Sequence, residues 1–189
     1  MQTKGDRTKQ VIMDISKKLF AQKGYSAITM KDICEACDLS RGGLYRHFNS
    51  TKEIFIAILE KDKNETRDVL EKSLLKKSPA EMLLNHYFNL EKETVMGDES
   101  GLYFAIHEFA FVQRDECDYL EQRKKSAVDM LISLFQYGQS RSEFKNFNPE
   151  VMAIHYIYFW DSLKTSAFIL SLTEEMIDKQ IQLLKEMIM

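Results

Sequence analysis

Three helix-start signals fall between Thr29 and Glu53, around a pair of adjacent glycines, and they leave little freedom in how that stretch can fold. Thr29 with Asp32, and Ser50 with Glu53, have the spacing of a capping box, in which a hydroxyl takes the third backbone N–H and the acid reaches back. Ser40 is a third capping residue. The pattern predicts a short helix from Met30 to Cys37, a turn at Asp38 and Leu39, and a second short helix from Arg41 to Phe48. Asp tolerates the unusual dihedrals of such a turn. Two short helices joined in this way form a helix-turn-helix.

The second of these segments is a poor helix. Each glycine costs about 1 kcal/mol relative to alanine, so Gly42 and Gly43 must answer a need outside the helix itself. At the start of a recognition helix, the missing side chains let the backbone lie against a phosphate or the wall of the major groove. Arg41, Tyr45, Arg46 and His47 supply donors there, while Leu44 and Phe48 form the stripe that fastens the helix to its neighbours. On spacing alone, an ordinary helical hairpin with a glycine loop is the alternative.

Gly24-Tyr25, Thr29-Met30, Asp32-Ile33, Ala36, Leu39-Ser40-Arg41-Gly42, Leu44-Tyr45, His47-Phe48 and Ser50 to Phe55 resemble the DNA-binding domain of the TetR family of bacterial regulators. The resemblance covers the first quarter to third of the chain. It departs at Asp38, where the turn glycine is usual, at Gly43, where a Thr or Ser commonly contacts DNA, and at Thr51, where a Lys often opens the next helix. It implies an all-α protein with a three-helix DNA-binding domain at 1–52 and a larger ligand-binding and dimerisation domain at 53–189. The DNA contacts it implies are Thr29, Lys31, Ser40, Arg41, Gly42, Gly43, Tyr45, Arg46, His47 and Lys52. Arg41 suits base readout, because a guanidinium can pair with both major-groove acceptors of guanine. Tyr45, His47 and Lys52 are expected to contact phosphate.

Charge is distributed accordingly. The net charge of −3 conceals ten Lys and Arg against five Asp and Glu in residues 1–52, with sixteen against twenty-four in the rest. The positive end is where a polyanion belongs. No run approaches the 18 or more apolar residues of a membrane span, and the charged start is no signal peptide. Three cysteines without a disulfide framework fit a reducing cytoplasm.

The remainder reads as helices throughout, and both prolines fit a first helical position, Pro79 and Pro149. Thr8 to Gln22 carries Val11, Ile12, Ile15, Leu19 and Phe20 on one face and ends at Gly24, a good C-terminal cap. The expected head core is Ile15, Leu19, Ile33, Leu44 and Phe48. A helix starting after Ser50 runs through a charged stretch, Glu60 to Asp68, before its apolar pattern resumes at Val69 and Leu70, as expected of one long connecting helix. Further helices are expected over Pro79 to Val95, Leu102 to Val112, Glu116 to Tyr137, Val151 to Leu172 and Glu174 to Ile188, with a loop from Gly97 to Gly101. Leu102 to Val112 is apolar nearly all round, which places it in the middle of a domain.

Enzyme chemistry finds no foothold. Cys34 and Cys37 lack the second ligand pair of a structural zinc site, and a disulfide inside one helical turn is strained; they read as small buried side chains. No His-x-x-x-His pair or phosphate-binding glycine loop occurs, so no metal and no cofactor are expected. Tyr103, Phe104, His107, Glu108 and Phe111, with Tyr156, Phe159 and Trp160, are the candidate lining of a pocket for an apolar or aromatic small-molecule effector, which the resemblance places between such helices. Glu108 and Asp161 interrupt otherwise apolar surfaces, and a buried carboxylate requires a partner; Glu108 is the candidate partner for a cationic group, while for Asp161 the plain alternative is Lys164 at i+3. Ile177, Ile181, Leu184 and Ile188 form a stripe read as the homodimer interface. The function expected is an effector-released repressor. A helical adaptor whose helix-turn-helix no longer reads DNA is the alternative.

Overall fold

Residues 3–97, 100–167 and 169–189 are described in the computed structural model of the chain. The side chains of Val69 and Leu70, and residues 98 and 99 of the expected loop, lie outside the described residues. The helices are α1 Lys4–Lys23, α2 Met30–Ala36, α3 Arg41–Tyr45, α4 Thr51–Leu75, α5 Ala80–Met96, α6 Leu102–Val112, α7 Cys117–Ser140, α8 Pro149–Ser166 and α9 Glu174–Ile188. A single 3-10 turn, Arg114–Glu116, joins α6 to α7, and no strand occurs among the described residues.

Caps set where the head helices begin. Thr29 accepts from the Asp32 N–H, and the Asp32 carboxylate accepts from the Thr29 N–H at 2.8 Å. Ser40 accepts from the Gly43 N–H at 3.1 Å. At α4 the reciprocal bond is displaced by one residue: Ser50 accepts from the Glu53 N–H, but the Glu53 carboxylate takes the Asn49 N–H at 2.7 Å. The turn between α2 and α3 places Asp38 at φ 50°, in the region that usually calls for glycine.

Several boundaries differ from the sequence expectation. A capping box between Thr3 and Asp6 starts α1 four residues before Thr8, because its first turn is polar and leaves no apolar signature. α3 ends at Tyr45 rather than Phe48, since the His47 N–H turns back to the Leu44 carbonyl in a tighter i−3 bond. α8 stops at Ser166, and Thr173 caps α9. Pro149 is the first residue of α8, whereas Pro79 sits just outside α5.

Two apolar clusters organise the chain. The head cluster includes Ile12, Phe20, Tyr25, Ile33, Leu44, Phe48, Ile54 and Phe55, joined by Leu102, Ala105 and Phe109 of α6. Phe55 and Phe109 lie 4.9 Å apart between ring centres, and Tyr25 meets Phe109 edge-on at the same distance. The buried face of α1 is Ile12, Met13, Ser16 and Phe20, with Ile15 and Leu19 only half-buried and Val11 exposed. The face is rotated because α6 packs on α1, which a helix read in isolation does not reveal. Head contacts also run past residue 52, through Ile54, Phe55, Ile58 and Leu59 of α4.

The second cluster is built from α5, α7, α8 and α9, around Phe88, Phe135, Tyr156 and Trp160. Ile177, Ile181, Leu184 and Ile188 are buried in it, at 1, 7, 2 and 0% exposure. Their assignment to a dimer interface is therefore corrected: the most regular apolar stripe of a terminal helix is consumed by its own domain.

Candidate DNA-binding interface and effector cavity

α3 stands at the tip of the head with Arg41, Gly42, Tyr45 and Arg46 exposed. The Arg41 guanidinium lies over the Tyr45 ring at 5.5 Å, an i,i+4 stack that extends the charge away from the head. Among the described residues no ion pair engages Arg41 or Arg46. A Cβ at Gly42 would meet nothing within 4 Å, so no atom of the fold requires glycine there.

Other expected contacts divide. Lys31 is exposed, with Glu35 at 3.6 Å as a weak surface partner. The Thr29 and Ser40 hydroxyls are committed to capping, although the Ser40 O–H can still donate outward. His47 and Gly43 are half-buried. Lys52 departs from its expected role: its ammonium pairs with Asp115 at 2.6 Å and Glu116 at 2.7 Å, in the turn after α6. Those carboxylates push the Lys52 pKa up and occupy its ammonium. Lys9, which sequence reasoning passed over, lies over the Phe48 ring at 5.1 Å beside the end of α3.

The residues expected to line one effector pocket are dispersed. Tyr156 and Trp160 are buried in the second core, and the Tyr156 O–H donates to the Leu184 carbonyl at 2.5 Å. Phe159 packs edge-on against Trp160. Phe111 is 72% exposed beneath the Arg114 guanidinium, and Phe104 is also exposed. His107 sits beside Thr165 at 3.3 Å. Glu108 accepts the Tyr25 N–H at 2.6 Å, so its carboxylate serves the head rather than a cationic ligand. Asp161 pairs with Lys124 at 2.5 Å, not Lys164. Lys164, only 5% exposed, reaches Glu91 at 2.5 Å and the Tyr103 hydroxyl at 2.9 Å.

A cavity does exist, elsewhere. It lies between α4 (Thr66, Ser73), α5 (Leu83, His86, Tyr87, Leu90) and α7 (Met130, Leu131, Leu134), and measures about 40 Å³. Ligand pockets begin near about 300 Å³, so this space has to widen to admit an effector. Tyr87 lines it, and burial, then the neighbouring Glu91 charge, raises the Tyr87 pKa. Apart from Tyr87 the described lining residues include no Tyr, Phe or Trp, which is why a search for aromatic constellations missed it. Cys34 and Cys37 are free and half-buried, with burial raising the Cys37 thiol pKa.

A capped pair of short helices with an exposed, glycine-containing second member, fixed to a separate helical body, defines a helix-turn-helix DNA-binding protein. The chain matches the bacterial regulatory proteins of the tetR family over residues 12–58, and the tetracyclin repressor-like C-terminal domain over residues 83–178. It belongs to the TetR family of transcriptional regulators. The HTH-type transcriptional regulator YfiR of Bacillus subtilis is 30% identical over 146 residues, 76% of this chain and 71% of that protein. QacR of Staphylococcus aureus is 31% identical over 68 residues, 36% of each chain. Reduced Escherichia coli NemR shares the fold with a TM-score of 0.78 across 97% of this chain and 98% of that one, at 16% identity. Salmonella enterica GusR does so at 0.70, across 98% and 97%, at 19% identity.

Proposed function

We propose that this regulator is a repressor that binds operator DNA as a homodimer and is released by an apolar small molecule, acting in the reducing cytoplasm without catalysing a reaction. The observation that carries the reading is α4. Its first turns fill the head core with Ile54 and Phe55, and further along it Thr66 and Ser73 line the apolar cavity. Twenty-five residues rise about 37 Å at 1.5 Å each, so one rigid element spans both. An effector that widens the cavity displaces α4 and with it the spacing of two recognition helices, and it acts through its different affinity for the two spacings.

Arg41 is the proposed base reader, with Tyr45, Arg46, Lys31 and the Ser40 hydroxyl placed for phosphate. The dimer face is reassigned to exposed apolar residues of α8 and α9: Val151, Ile154 and Tyr158 on one, Leu183 and Met187 on the other. Spaced by three and four, they form stripes on the side of each helix away from its own core. Two such pairs make a four-helix bundle about a two-fold axis.

Gly42→Ala tests the reading, because stability and binding should move in opposite directions. The methyl group meets open space and removes a helix penalty, so folding gains up to about 1 kcal/mol. Affinity for the DNA upstream of the chain's own gene should fall at least tenfold in fluorescence anisotropy. Unchanged affinity would remove the reason given for the glycine.

A further inference from the structure

The segment from Gly101 to Glu116 follows the long connecting helix in sequence, yet its contacts run back to the DNA-binding head. Leu102, Ala105 and Phe109 of α6 are buried in the head core. At its start, a Cβ on Gly101 would lie 2.1 Å from the Ala21 carbonyl oxygen, so the two backbones abut. In its middle, the Glu108 carboxylate accepts the Tyr25 N–H at 2.6 Å and the Ser26 N–H at 3.4 Å. At its end, the Gln113 amide donates to the Tyr25 hydroxyl at 3.2 Å, and Asp115 and Glu116 hold Lys52.

Gly24 makes the central contact possible. Its φ of +79° turns the chain out of α1, and a Cβ there would fall 2.3 Å from the Glu108 Oε2 atom. The carboxylate thus enters a notch that only glycine leaves open and takes two N–H groups displaced from the helix ladder. Such charge-assisted bonds are stronger than neutral ones, and their loss leaves a part-buried donor unsatisfied. Towards α8, by contrast, the polar contacts of α6 among the described residues are Tyr103 to Lys164 and His107 to Thr165.

We infer that α6 and the turn after it move with the DNA-binding head as one body, and that Glu108, seated against Gly24, is the positioning residue that joins them. The plane of motion then runs between α6 and α8, crossed by the Tyr103–Lys164 and His107–Thr165 contacts, rather than between the head and everything after it. The inference rests on the reading of the chain as a DNA-binding switch, but the part played by Glu108 is measurable without DNA.

The test uses the full chain with Cys34→Ala, Cys37→Ala and Cys117→Ser, checked to melt like the wild type. Spin labels go on Glu35→Cys in the head, Val112→Cys at the end of α6 and Ser162→Cys on α8, in pairs and diluted with unlabelled chain. Binding the upstream DNA should shift the 112–162 distance distribution and leave 35–112 in place. A shift in 35–112, or no shift in either pair, overturns the one-body assignment. Without DNA, Glu108→Ala should broaden the 35–112 distribution and speed exchange of the Tyr25 and Ser26 amides at least tenfold. Unchanged exchange and an unchanged 35–112 distribution overturn the role of Glu108. Should that variant not fold, Glu108→Gln keeps a neutral acceptor and should give a smaller acceleration at the same two amides; wild-type exchange there overturns the role equally. A chain that binds no DNA fails the regulator reading itself, and the Glu108 arms still decide.

Discussion

Phe109→Ala should melt the DNA-binding head, although the residue lies more than fifty positions beyond it in sequence. Its ring is fully buried, 4.9 Å from both Phe55 and Tyr25. Truncating a buried Phe costs about 3–5 kcal/mol through lost transfer energy and the cavity left behind, a large share of the roughly 5–15 kcal/mol that holds a typical domain together. Thermal melting should show a fall of that size with loss of DNA binding at the growth temperature. Phe111→Ala, two residues away but 72% exposed, should stay within about 0.5 kcal/mol of wild type. Equal melting of the two variants would show that α6 does not belong to the head core.

The second large effect concerns the last helix. Ile181→Glu removes a side chain that is 7% exposed and places a carboxylate in the cluster that holds Phe88, Phe135 and Tyr156. Cavity and desolvation costs add, for a loss of about 4–5 kcal/mol or more, so the product should be an unfolded chain rather than a folded monomer. Val151→Glu with Leu183→Glu alters residues that are 64 and 54% exposed within the protomer. That pair should leave the melting of the head unchanged and convert dimers to monomers in sedimentation velocity. A folded monomer from Ile181→Glu, or a dimer retained by the surface pair, would move the interface back to the stripe the sequence suggests.

What the sequence discloses here depends on how local the signal is. Capping is a matter of three residues, so Thr29, Ser40 and Ser50 locate the starts of α2, α3 and α4, and Asp38 is recognisable as a turn residue. Direction is not local. A helix apolar nearly all round, as α6 is, carries no periodicity to say which neighbour it joins, and the burial of Leu102, Ala105 and Phe109 against the head is visible only in three dimensions. The α9 stripe has a clear period, but period alone does not distinguish a protomer's own core from a partner's. Charge behaves likewise: Glu108 and Lys52 are singled out by type, yet one is taken by backbone N–H groups and the other by Asp115 and Glu116. The cavity escapes notice because most of its lining is Leu, Met, Thr and Ser, which mark no chemistry, and His86 and Tyr87 stand among them without a second polar constellation in the sequence.

Binding of the purified chain to the DNA upstream of its own gene, titrated at several salt concentrations against unrelated DNA of equal length, tests the central claim most directly. The account predicts selective binding to the upstream DNA, with log K falling linearly in log salt as phosphate contacts release counterions. Arg41→Ala should lose about 1–3 kcal/mol of discrimination between the two DNAs while keeping most of the salt slope. Equal affinity of the wild type for both DNAs at every salt concentration would contradict the assignment of α3 as a sequence-reading helix.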